Sequence, residues 1–261
     1  CHSVQGRAGQ LAEYIGAPAE EVSHWVAGIN HMAWFLQFRW RGQDAYSLLR
    51  RAMEQPEIYG RDAVRFDVLR HFGYFVSESS RHMSEYLPYY RKREELIQEF
   101  NIPTADYLTA RQERDRHHFQ AIRRQVAGEE RIEIQRTQEY ASYIIHSLET
   151  GTPRRINGNV ENAGLIANLP HGCCVEVPCL VDKLGVHPCA IGELPPQCAA
   201  LNRSNIAVQE LAVQAVLEGS KEKAIQAVLL DPLTAAILTP SEIREMCEEM
   251  FRAEREYLAD F

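Results

Sequence analysis

No apolar run in this 261-residue chain approaches the length of about 20 that a membrane-spanning helix needs. No secretory signal is visible, and the first residue is Cys, not Met. The seven cysteines are odd in number and scattered, at positions 1, 173, 174, 179, 189, 198 and 247. None of them forms a Cys-x-x-Cys pair, so neither a disulfide framework of a small secreted domain nor a structural zinc site is indicated. A reducing cytoplasm is the expected setting. Excess positive charge is also missing. The formal net charge is -8, which argues against nucleic acid and anionic membrane as partners. Basic clusters such as Arg91-Lys92-Arg93 are followed by acids and read as solvated helix faces. There is no phosphate-cradling glycine loop, no Gly-x-Ser-x-Gly elbow, no internal repeat and no low-complexity stretch. The composition, with 45% hydrophobic and 25% charged residues, is that of an ordinary globular domain.

The periodicities predict a helix-rich α+β domain with a small mixed or antiparallel sheet. A short helix covers 7–15. Strand alternation begins at Met32 and runs to Trp40, placing His31 where a loop can present it. Helices are expected over 43–54 and 61–72, the second stopped by Gly73. Tyr74-Phe75-Val76 reads as a short strand. A long exposed helix follows over 104–127, with His117 and His118 as surface residues. The spacing of Ala141, Ile144, Ile145 and Leu148 predicts an amphipathic helix over 138–149. Asn157-Gly158-Asn159 lies in a Gly/Asn-rich passage before two strands, Cys173 to Val181 and Val186 to Ile191, that form a hairpin. The last quarter is helical. Its final helix opens on Thr239-Pro240-Ser241-Glu242, a capping box, and buries Cys247 in its apolar face.

Two short segments carry the chemistry. Cys1-His2-Ser3-Val4 and Gly28-Ile29-Asn30-His31-Met32 together offer a thiolate and an imidazole, donors suited to Mn, Fe, Co, Ni or Zn. Two protein ligands leave coordination positions for substrate and water. The competing reading makes Cys1 merely the first residue and His31 a satisfied histidine. Spacing does not choose between them.

The same segments look like glycoside hydrolase family 4, together with Gly73-Tyr74-Phe75-Val76-Ser77-Glu78-Ser79-Ser80, Glu139-Tyr140-Ala141-Ser142 and Asn168-Leu169-Pro170-His171-Gly172-Cys173-Cys174-Val175-Glu176-Val177-Pro178-Cys179. The α-galactosidase (melibiase) branch matches best, and the resemblance covers essentially the whole chain in order. It implies that residues 1–261 are the C-terminal catalytic and substrate domain of a lactate/malate dehydrogenase-like glycosidase, without the NAD-binding Rossmann domain. The implied cofactors are NAD and Mn2+ or another divalent metal. The implied chemistry is redox elimination: oxidation at C3 of the sugar, removal of the C2 proton by a Tyr, loss of the glycosidic oxygen, addition of water and reversal.

Carried onto this sequence, Cys1 and His31 become metal ligands and Tyr140 the base at C2. His2 assists the leaving group or binds the sugar, and Asn30 contacts a sugar hydroxyl. No residue is assigned to cofactor binding. Asn168, His171 and Glu176 are weaker candidates. Cys173, Cys174 and Cys179 read as packing. Nothing supplies a 6-phosphate pocket, so an unphosphorylated α-galactoside such as melibiose is the expected substrate. An α-glucuronide or α-galacturonide is the alternative within the family. Two readings lie outside it: a non-catalytic fragment, and the substrate domain of a hydroxy-acid dehydrogenase. Relatives form dimers or tetramers, so a homo-oligomer is expected of the full-length protein.

Overall fold

The computed structural model describes Val4, residues 6–104, 106–134 and 139–258, with the backbone alone at 106–109. Cys1 and His2 lie outside the described residues. Helix α1 (Arg7–Tyr14) leads to the strands β1 (Val22–Ile29), β2 (Met32–Trp40) and β3 (Gln43–Asp44). Helices α2 (Tyr46–Met53), α3 (Pro56–Arg61), α4 (Ala63–Phe72), α5 (Ser80–Tyr86), α6 (Glu94–Glu99), α7 (Asp106–Val126) and α8 (Ala141–Thr150) follow. Then come β4 (Arg154–Glu161), β5 (Cys174–Asp182) and β6 (Gly185–Pro188). Helices α9 (Pro196–Glu218), α10 (Lys221–Leu230), α11 (Pro232–Ile237) and α12 (Pro240–Ala253) complete the chain. The strands form one sheet in the order β3-β2-β1-β5-β4, with β6 also on β5, and every strand pair is antiparallel.

The sheet separates two cores. On one face Ala27, Ile29, Met32, Trp34, Val175, Val177 and Cys179 pack against α4, α5 and α9. On the other, Val26, Ala33, Phe35 and Phe38 pack against α1, α2 and α4. Alternation along β5, and along β2 as far as Leu36, sorts the side chains as a period of two requires; beyond Leu36 it shifts by one, so Phe38 joins Phe35. The sequence pattern missed β1 for an identifiable reason. Its side chains do alternate, Val22 and Val26 to one core and Ala27 and Ile29 to the other, but Ser23, His24 and Gly28 dilute the apolar signal; the bulge falls on β2, where Leu36 is the extra residue between Phe35 and Gln37. The Gly/Asn-rich passage becomes β4, despite residues that disfavour strands. Asn157 earns its place there by donating to Val26 O (3.0 Å). Gly158 passes so close to Cys179 that a Cβ would sit 3.1 Å from its sulfur.

Other expectations shift in detail. The helix expected from residue 43 begins at Tyr46, because Gln43 and Asp44 pair back onto Trp40 and Arg39 across a turn in which Arg41 and Gly42 both have positive φ. The apolar face expected on α8 is only partly used: Ile144 packs on the core, but Ile145 is 62% exposed. Helix α12 carries the expected capping box and buries Cys247. His117 and His118 are exposed. Among the described residues no helix is long and apolar enough to cross a membrane.

Candidate active site

His31 sits in the two-residue turn of the β1–β2 hairpin, between the paired residues Ile29 and Met32. Its φ of +66° is left-handed, a conformation His adopts more readily than most residues but still uncommon. Gly28 makes the hairpin possible: a Cβ there would lie 2.4 Å from Met32 O and 2.7 Å from Ala33 Cα. Helix α9 braces the turn from behind, since Asn202 donates to Met32 O (2.8 Å) and accepts from the Trp34 indole (3.0 Å).

The imidazole is held on two sides. Its Nδ1 lies 2.9 Å from the Tyr86 hydroxyl, and its Nε2 lies 3.7 Å from Glu78 Oε2. The His82 ring is 5.4 Å away, centroid to centroid. Glu78 is buried, which by itself disfavours its charge. The Ser79 N–H (2.7 Å), Arg7 (3.1 Å), His31 and His82 outweigh burial and hold its carboxyl below the usual range. An ionised carboxylate thus stands behind the imidazole, the arrangement that orients metal-binding histidines. Among the described residues no three His, Cys, Asp or Glu side chains gather into a metal site. The described chain supplies the imidazole of the expected pair; the thiolate of Cys1 lies outside it.

A second cluster lies along the same register line. Gly28 pairs with Glu176 of β5, and Glu176 pairs with Asn159 of β4. Glu176 is fully buried, and Asn159 Oδ1 is buried with no hydrogen-bond partner among the described residues. Tyr140, at the N-cap of α8, packs half-buried on the same core as this strand pair. Burial, then the Glu176 charge, push its phenol above the ordinary tyrosine value, against a smaller downward pull from Arg155. Tyr140, Tyr143, Arg154, Arg155 and Ile156 line a cavity of about 320 Å³. Nearby His24 is half-buried; desolvation, then the charge of Arg155, push its pKa down to about 4 and hold it neutral.

The remaining candidates divide. Asn30 is exposed in the His31 turn. The Asn168 amide is consumed by the Leu194 backbone, donating at 2.8 Å and accepting at 3.0 Å, so it anchors a loop. His171 is exposed on a separate groove with Cys173, Cys174 and α9. Cys179 is buried, Cys173 packs half-buried on the core, and Cys174 is exposed rather than packed. Glu78, Tyr86 and Arg155 were not singled out from the sequence. For Glu78 the signal existed, as it sits within a segment already noticed.

Comparison with known proteins shows the family. Residues 26–234 match the family 4 glycosyl hydrolase C-terminal domain, and the chain belongs to that family. It is 40% identical, over its whole length, to an α-galactosidase of Bacillus subtilis, 61% of which it covers. Among solved structures, the Bacillus subtilis protein lplD is similar with a TM-score of 0.83 and 25% identity, over 96% of this chain and 62% of that one. A 6-phospho-α-glucosidase from gut microorganisms, solved with NAD and Mn2+, has a TM-score of 0.78 at 20% identity, over 98% of this chain and 60% of its own. The chain thus spans about three fifths of the length of the relatives it matches.

Proposed function

We propose that this chain is the catalytic C-terminal part of an NAD- and Mn2+-dependent α-galactosidase acting on unphosphorylated α-galactosides. The observation that carries the proposal is the 40% identity to an α-galactosidase along the entire chain. The NAD and Mn2+ bound by the structurally similar 6-phospho-α-glucosidase support the cofactors. Cys1 and His31 would hold the metal. When bound, metal and NAD supply fixed positive charge beside the sugar hydroxyls and a reversible oxidant.

The chain's own groups do the rest. Tyr86, on Nδ1, and the ionised Glu78, 3.7 Å from Nε2, orient the His31 ring, and a metal bound at either nitrogen would replace one of these contacts. Tyr140 takes the proton from C2 of the oxidised sugar. Burial and Glu176 make its phenolate a strong base, and Arg155 offsets part of the cost of charging it. Asn30 and Asn159 Oδ1 meet sugar hydroxyls, and His2 serves the leaving group or the sugar. The enzyme works in the reducing cytoplasm, as a homo-oligomer.

The test is hydrolysis of p-nitrophenyl α-galactoside by the full-length protein with NAD+, Mn2+ and a thiol reductant, omitting one at a time. Activity is expected only with both cofactors. Activity confined to an α-glucuronide or α-galacturonide overturns the sugar. Accumulation of NADH from a hydroxy acid overturns the hydrolase.

A further inference from the structure

We propose that α7 is a docking arm that seats in the α10–α12 groove of a second copy of this chain. Over residues 110–126 no described side chain of α7 is buried, and its half-buried positions, Asp115, Ala121 and Gln125, include no large apolar group. Helices in water draw most of their stability from packing an amphipathic face, and over 110–126 this one buries no described side chain on its own chain. It nonetheless carries such a face. Phe119, Ile122 and Val126, spaced i, i+3 and i+7, form one stripe and are 61%, 39% and 84% exposed. Arg116 and Arg123 flank it, with Arg114 further round; none of the three has an ion-pair partner among the described residues.

The complementary surface lies at the other end of the chain. Helices α10 to α12 share a small core of Ile225, Ile243 and Cys247, with Val228, Leu229, Leu238 and Phe251 half-buried around it. Beside it runs a groove of about 260 Å³ lined by Ala224, Val228, Met246, Met250, Phe251 and Leu258, with Glu254 at its edge. Met250 is 55% exposed. Glu249 lies on the adjoining flank of α12, beside Met246, with Glu245 further round; Glu249 and Glu254 have no ion-pair partner among the described residues. An apolar stripe flanked by unpaired arginines thus matches an apolar groove flanked by unpaired glutamates, the geometry of a helix laid in a groove. Both halves belong to every copy, so a two-fold pair satisfies both at once. The inference deepens the homo-oligomer part of the proposed function and depends on neither the sugar nor the metal.

The test is the molar mass of the full-length protein by sedimentation and light scattering. Phe119→Glu with Ile122→Glu should at least halve the assembly and weaken self-association about a hundredfold. Far-UV circular dichroism should be unchanged, because both positions are exposed. Met250→Glu in the groove should do the same. Mixing the arm variant with the groove variant should restore pairing, since one arm and one groove remain intact. A monomeric parent protein would overturn the homo-oligomer and the arm together. An oligomer whose mass none of these variants changes would overturn the arm alone. Unchanged mass with weakened NAD binding would assign α7 to the protein's remaining length, and also overturn the proposal.

Discussion

At the scale of single residues, the proposed chemistry depends on what surrounds Tyr140. Its pKa is raised, so the phenolate forms only as pH climbs, and the proton-transfer step should accelerate toward alkaline pH. Glu176→Gln removes a negative charge that raises the pKa, so the acid limb of the pH–rate profile should move to lower pH. Arg155→Met should move it the other way. Profiles of C2 proton exchange in deuterated water check both signs; an unmoved limb in Glu176→Gln would remove Glu176 from that role. Tyr140→Phe should cost exchange by about 10²–10⁴-fold while the fold persists. Tyr140 and His31 were legible in the sequence, through the resemblance and the segments around them. Their controlling partners were not. Tyr86 is 55 residues from His31, and nothing near it in sequence marks it as a partner. Arg155 acts on Tyr140 from the strand after α8, in a passage that reads as a loop.

At the scale of elements, the His31 hairpin and the segment before Glu78 bear the positioning. Gly28→Ala would press a methyl against Met32 O, so β1 and β2 must separate; a loss of several kcal/mol is expected, on the order of 3, in urea titration. Arg65 is fully buried and donates to Val76 O (3.0 and 2.9 Å), Asp62 (2.6 Å) and Gln10 (2.9 Å), pinning the chain two residues before Glu78. Arg65→Met strands the buried Asp62 and should destabilise by about 3–5 kcal/mol, read by thermal unfolding. Period and caps revealed most helices, β2 and the β5–β6 hairpin. They could not reveal β1, whose apolar signal Ser23, His24 and Gly28 dilute, or β4, whose Asn and Gly residues are chosen for contacts with Val26 and Cys179. Those contacts are tertiary, and no window of neighbouring residues contains them.

At the scale of the whole molecule, binding should register as stability. Mn2+ at a hundred times its dissociation constant should stabilise the full-length protein by about 2.7 kcal/mol. His31→Asn should abolish that gain and leave the metal-free melting temperature nearly unchanged; a retained gain would exclude His31 as a ligand. The fold class was legible because helices and strands arrive in separate runs, without βαβ alternation. The two-sided core was not, since which helix covers which face is decided by packing across the sheet.

The left-handed backbone at His31 has a consequence for inheritance. Few side chains tolerate that conformation; Gly, Asn, Asp and His are the usual ones. Most substitutions at this position therefore strain the turn as well as delete the imidazole. Asn and Asp, whose codons neighbour those of His, can replace it without disturbing the hairpin. A gene line that abandoned the proposed metal chemistry would have those two as its easiest exits, and its descendants would keep the fold.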